Sequence, residues 1–225
     1  MSQPKTKFIV IHIIAALIAI ACLLMNGPMR AGLPIDTTVA ERMAFLANNS
    51  ILWMWSWITW MFCAIGLLVF CVILSDEINT DFRKTIGIFL VALGVAPDLT
   101  AEVIYAFVLP KIVSLQMDES TFLLFEHIAS HLTGYLGNGL YNLGGLLLTY
   151  LAIKQGMFKT WVSVWGVTAW ILGILLSVSI AAGELKAAEL FTASSMVLST
   201  LWMVIFSHQI LKPQISQKPY VLQEK

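Results

Sequence analysis

Residues 86–109 read IGIFLVALGVAPDLTAEVIYAFVL and combine an apolar run with two carboxylates. A helix of these 24 residues is about 36 Å long, enough to cross a hydrocarbon core about 30 Å thick. Asp98 and Glu102 are four residues apart, so their carboxylates lie on one face of such a helix. Pro97 removes a backbone hydrogen bond and predicts a kink beside them. Because ionisable groups inside a span face protein or water, this stretch predicts a helical membrane bundle with a polar interior.

The composition of the whole chain is that of an integral membrane protein. Of the 225 residues, 59% are hydrophobic and 12% charged, whereas soluble domains have about 45–50% apolar and about 25% charged residues. Thirteen Lys and Arg balance thirteen Asp and Glu. These values exclude a disordered chain, an ordinary soluble enzyme and a nucleic-acid-binding protein with a basic face. We therefore expect the lipid bilayer as a partner and no nucleic acid.

Six apolar runs are long enough, or nearly long enough, to span a bilayer. They cover residues 8–25, 51–75, 86–109, 121–153, 161–182 and 190–211. The short connections favour an antiparallel, all-α bundle. We expect one transmembrane domain over residues 1–212 and a short cytoplasmic tail over 213–225. The fourth run would form a helix about 50 Å long, which predicts a kink near its glycines or an extension beyond the hydrocarbon core.

The distribution of basic residues predicts the orientation. With a cytoplasmic N-terminus, nine Lys and Arg fall on the inner side and four on the outer side. The inner ones are Lys5, Lys7, Arg83, Lys84, Lys154, Lys159, Lys212, Lys218 and Lys225, and the outer ones are Arg30, Arg42, Lys111 and Lys186. Both termini are therefore expected in the cytoplasm. The pattern is typical of a multi-pass protein of a bacterial inner membrane.

The fourth run carries a polar stripe. His127, His131, Asn138 and Asn142 fall within an arc of about 80° on a regular helix. Hydrocarbon would not accept such a stripe, so we expect it to face another helix or a cavity, opposite Asp98 and Glu102. Two alignments of the third and fourth spans are possible. Counting from the outer ends places Asp98 level with His131, and counting from Lys84 and Lys154 places it level with Asn138 or Asn142.

Three interpretations of this cluster remain open. Carboxylates, imidazoles and carboxamides are the parts of intramembrane proton or small-cation sites. Asp98, Glu102, His127 and His131 could instead bind a divalent metal ion, as in a metal-dependent membrane enzyme. The same polar groups could simply hold helices together. A non-catalytic accessory subunit is then the alternative function, with other membrane subunits or a homo-oligomer as partners.

Outside the cluster, the sequence suggests several smaller features. His12 and His208 are predicted at similar depth near the cytoplasmic face, as haem axial ligands on facing helices would be. Asp36 or Thr37 is expected to cap a helix that precedes the second span. Glu126 is expected at the outer interface. Tryptophans at two span starts are expected to anchor the protein at the headgroups; they are Trp53, Trp55, Trp57, Trp60, Trp161 and Trp165.

Overall fold

The computed structural model of the protein describes residues 3–216. It is all-α and 88% helical, with six long helices and no strand in this range, so the all-α part of the predicted fold class is confirmed. The helices are α1 (Gln3–Asn26), α2 (Val39–Glu77), α3 (Phe82–Ser114), α4 (residues 119–154), α5 (Thr160–Ala181) and α6 (residues 185–216). Of the predicted tail over 213–225, residues 217–225 lie outside the described residues.

Three of the helices contain a π-helical segment, in which hydrogen bonds span five residues instead of four. These segments are Ile104–Val108 in α3, His131–Gly137 in α4 and Ser207–Leu211 in α6. The segment in α4 includes Gly134 and Gly137, where the sequence predicts an irregular helix. The backbone of Asn49 in α2 also leaves helical geometry, at φ −129° and ψ 27°. It separates the predicted outer helix from the apolar run over 51–75.

The six helices form a closed ring in chain order. Each helix packs on its sequence neighbours, and α6 returns to pack on α1. We call the end with loops 27–38, 115–118 and 182–184 the Arg30 end, and the end with loops 78–81 and 155–159 the Lys84 end. Because consecutive helices run in opposite directions, every second connection lies at the same end. A ring of this kind leaves space at its centre.

The outer surface of the ring is apolar. Large hydrophobic side chains are exposed on every helix, for example Leu23, Phe62, Phe89, Leu124, Val164 and Leu201. Five helices are long and apolar enough to cross a membrane, namely all except α4. The mean hydropathy of α4 is reduced by polar and small residues that include Asn138, Asn142 and the glycines near them. These helices are consistent with a multi-pass membrane protein, and α4 is the most polar of the six.

Glycines set the contact between α3 and α4. A Cβ atom on Gly144 would lie 2.5 Å from the carbonyl oxygen of Gly87, and one on Gly94 would lie 2.7 Å from that of Gly137. The two backbones therefore touch directly, as small residues allow between membrane helices. A Cβ atom on Gly137 would lie 3.2 Å from the Cβ of Asp98. Asp98 is thus level with residues 137–138, which confirms the alignment counted from the lysines and excludes the one that pairs Asp98 with His131.

The start of α2 differs from the prediction. Thr38, rather than Asp36 or Thr37, caps the helix in a capping box with Glu41. The sequence Thr38-Val39-Ala40-Glu41 has the spacing of this motif.

One turn after the cap, Arg42 forms a two-pronged ion pair with Glu126, with distances of 2.9 Å from Nε to Oε1 and 2.7 Å from Nη2 to Oε2. Both residues are buried, so the prediction that Glu126 lies at the interface is wrong.

A different arrangement caps α3 at the Lys84 end. Asp81 is half-buried, and its carboxylate accepts hydrogen bonds from the Arg83 side chain and from the Arg83 backbone N–H. These bonds lower the pKa of Asp81 to about 2. Because the pKa is lowered on folding, the stabilisation is present above the ordinary value of 3.8 and is lost as the pH falls towards 2. The cap is therefore charged at neutral pH.

The glycine contact predicts opposite effects for two substitutions in α4. Gly144→Ala places a methyl group against the Gly87 carbonyl and should destabilise the protein by about 1–3 kcal/mol, the usual cost of overpacking. Gly139→Ala meets nothing closer than 3.6 Å and gains helix propensity, so it should be neutral or stabilising by up to about 1 kcal/mol. Thermal unfolding in detergent measures both. Equal effects of the two changes would contradict the contact.

The buried ion pair predicts a large effect from an isosteric change. Glu126→Gln leaves the Arg42 guanidinium buried without a counter-charge and should destabilise the protein by about 3–5 kcal/mol. The matched control is Arg83→Ala, which removes a partly exposed pair at the Lys84 end and should lower the unfolding temperature far less than Glu126→Gln does. Chemical denaturation in mild detergent checks both variants. A Glu126→Gln protein as stable as the control would show that the pair is not desolvated.

Candidate functional site

A central cavity of about 270 Å³ lies inside the ring. All six helices line it, and it extends to the Arg30 end, where Leu33, Ile35 and Leu185 surround it. Its polar lining comes mainly from α3 and α4, with residues Asp98, Glu102, Thr133, Asn138, Tyr141 and Asn142. The two carboxylates and the two asparagines of the predicted site therefore share one cavity.

The two carboxylates are deeply buried. Asp98 is 6% exposed and Glu102 is 2% exposed. The Thr133 side chain lies beside the Asp98 carboxylate across the α3–α4 contact. The Oε2 atom of Glu102 has no hydrogen-bond partner. An unpaired polar atom in a protein interior is costly, and Glu102 is the lining acid whose hydrogen bonding the described protein leaves incomplete.

The charges around the cavity are of one sign. The described residues that line it include Asp98, Glu102 and Glu189 but no Lys, Arg or His. Glu189 lies near the Arg30 end and pairs with Arg30 at 2.6 Å, while Arg30 also contacts Asp36 at 3.2 Å. The carboxylates of Asp98 and Glu102 have no such partner among the lining residues. The described lining of the cavity interior is therefore acidic and contains no basic side chain.

The asparagines of α4 are held by the irregular helix itself. Asn138 donates from Nδ2 to the carbonyl of Thr133, five residues earlier, at 2.9 Å. Asn142 donates from Nδ2 to the carbonyl of Asn138 at 2.7 Å. A Cβ atom on Gly173 of α5 would lie 2.1 Å from Oδ1 of Asn142, so the amide packs against bare backbone. These bonds fix both amides beside the cavity.

The two histidines of α4 are not part of the cavity lining. His127 is exposed and His131 is half-buried, with its Nδ1 3.0 Å from the His127 carbonyl. The cause is the π segment that begins at His131. A π turn holds one residue more than an α turn, so residues beyond it are rotated by about 100° relative to the regular helix. The predicted continuous stripe is therefore divided, and only its asparagine half faces the carboxylates.

This division removes the basis for the predicted metal site. The four predicted ligands do not converge on one point; they are Asp98, Glu102, His127 and His131. Residues 3–216 contain no group of three or more His, Cys, Asp or Glu that could hold a metal ion.

The predicted haem site fails for a different reason. His12 and His208 do face each other between α1 and α6, but their ring centroids are only 5.4 Å apart in edge contact. No macrocycle fits between rings in contact, and the Phe8 ring contacts both histidine rings.

Aromatic side chains line part of the central cavity, and the sequence analysis did not predict this lining. Trp53 and Trp57 are buried inside the bundle, so the prediction that they anchor it at the headgroups is wrong; Trp55 and Trp161 are exposed. Trp57 stacks on Tyr105 with centroids 4.1 Å apart, and Trp53 donates to the Tyr105 carbonyl. The spacing could have indicated this, because positions 53, 57 and 60 lie on one helical face and 55 on another. The Nε1 atoms of Trp57 and Trp60 have no partner.

Comparison of the chain with protein-family models, with curated proteins and with solved structures found no match.

A native cysteine can test whether the cavity is open. Cys63 lines the cavity, whereas Cys71 is fully buried in the packed core outside it. In a Cys22→Ser background, a small cationic methanethiosulfonate reagent should modify Cys63 at least tenfold faster than Cys71, because the carboxylates attract it and the cavity admits it. Mass spectrometry of peptides measures both rates. Equal rates would show that the cavity is closed to solutes.

Proposed function

We propose that this protein is an integral membrane protein whose central cavity exchanges protons for a cation at Glu102 and Asp98. The observation that carries the proposal is the environment of the Glu102 side chain, which is 2% exposed and has a carboxylate oxygen without a hydrogen-bond partner. Glu102 lines the central cavity, and the described lining of that cavity contains no basic residue. A desolvated charge without a partner costs several kcal/mol. A proton or a cation from solution would remove that cost.

The exchange follows from the need for charge compensation. When a cation enters and contacts the carboxylates, it takes the place of the proton on the carboxyl group, and that proton leaves to water through the open end of the cavity. When the cation leaves, a proton returns. Asn138 lines the cavity and carries an amide oxygen that can solvate the cation without adding charge, and Thr133 lies beside Asp98.

The proposed topology places six spans in the membrane, with both termini in the cytoplasm. Five helices are apolar enough to span, and α4 stands between α3 and α5 in the same ring, which supports a sixth span with a polar inner face. The basic-residue bias supports a cytoplasmic Lys84 end. The cavity would then open to the outer side, and the bacterial inner membrane is the compartment we propose.

Proton exchange is measurable in proteoliposomes that contain the purified protein and a pH-sensitive dye. With an acidic interior, external Na⁺, K⁺ or an organic ammonium ion is added, and proton exit is recorded. We expect at least one cation to drive proton exit from wild-type liposomes. Glu102→Gln should abolish this exit because the neutral side chain cannot exchange a proton, and Asp98→Asn should reduce it at least tenfold.

The matched control is Glu119→Gln, which makes the same change at an exposed position at the start of α4 and should behave as wild type. Unfolding temperatures show whether each variant is folded. The proposal is contradicted if no added cation drives proton exit from wild-type liposomes, or if Glu102→Gln exchanges protons at the wild-type rate.

A further inference from the structure

The ligands and the volume of the central cavity indicate which class of cation it would bind. A bare inorganic cation is bound by a compact cage of oxygen ligands, six to eight for Ca²⁺. Residues 3–216 contain no group of three or more acidic, His or Cys side chains that could form such a cage. The space is also much larger than one ion needs. A water molecule takes about 30 Å³ in the liquid, whereas the cavity measures about 270 Å³.

The walls of the cavity suit an organic body. Most of the lining is apolar, and its aromatic members include Trp57, Trp60, Tyr105, Tyr141 and Trp170. Small-molecule sites are typically concave and lined by apolar and aromatic side chains with a few placed polar groups. Tryptophan and tyrosine rings also attract organic cations through their π faces. The cavity thus combines the two features that bind a substituted ammonium ion, namely a pair of carboxylates for its charge and aromatic rings around them.

We propose that the cation exchanged at Glu102 and Asp98 is an organic ammonium ion with an apolar body, held by the carboxylates at its charged end and by the tryptophan and tyrosine rings along its body. This inference rests on the proposed function and specifies its substrate class. The ammonium group would lie near Glu102, whose Oε2 atom lacks a partner. The apolar body would extend towards the Arg30 end, along Trp60, Leu33 and Ile35. Such an ion loses little hydration on entry, which is why a partly apolar cavity can accept it.

The test compares two probes of the same shape. Benzyltrimethylammonium is a cation, and neopentylbenzene is its neutral isostere. Binding to the full-length protein in lipid nanodiscs is measured by isothermal titration calorimetry and by tryptophan fluorescence. We expect saturable binding of the cation, at least tenfold weaker binding of the isostere, and at least tenfold weaker cation binding by Glu102→Gln. Trp57→Phe should weaken cation binding severalfold, whereas Trp55→Phe, on the outer surface, should not.

The outcomes separate this inference from the proposed function. If Na⁺ or K⁺ drives Glu102-dependent proton exit but benzyltrimethylammonium does not bind, the substrate class is wrong and the proposed exchange stands. If the cation and its isostere bind equally, or if the cation binds Glu102→Gln as well as wild type, the cavity is an apolar pocket and the inference is overturned. If neither exchange nor binding depends on Glu102, both proposals fail.

Discussion

A carboxylate in a protein interior must be neutralised by a proton or by a positive partner, and this constraint governs the centre of the molecule. Glu102 lies almost fully buried on α3, and the described lining of its cavity offers no basic side chain. Elsewhere in the bundle the charge of a buried carboxylate is neutralised by the protein itself, since Arg42 pairs with Glu126. The contrast between paired and unpaired acids distinguishes a structural contact from a candidate binding site.

The position of Glu102 depends on how closely α3 and α4 approach. Direct backbone contact at Gly87, Gly94, Gly137 and Gly144 sets the register that places Asp98 beside Thr133 and Gly137. The π segment of α4 then turns the asparagines towards the carboxylates. A bulkier residue at one of these glycines would separate α3 from α4 and widen the cavity. The shape of the cavity therefore depends on the glycines at the α3–α4 contact.

Much of this architecture could be predicted from the sequence because it depends on local periodicity. The apolar runs gave the six helices, and the i,i+4 spacing of Asp98 and Glu102 gave their common face. The asparagines were also correctly assigned to an inner face. The helices and the common face of the two carboxylates follow from the geometry of a regular helix.

The rest depends on departures from regular geometry and on long-range contacts. The π segment at residues 131–137 rotates the two halves of α4 relative to each other, so His127 and His131 do not join the carboxylates. Nothing local to Arg42 or Glu126 indicates that they meet across 84 positions of the chain. The aromatic lining of the cavity was missed because tryptophans at a span end were expected at the headgroups.

The central claim is that Glu102 carries the exchangeable proton, and its most direct test is infrared spectroscopy of the purified protein across a pH titration. We predict the C=O stretch of a protonated carboxyl group that Glu102→Gln removes and Glu119→Gln retains. Spectra that are identical in wild type and Glu102→Gln at every pH would contradict the claim.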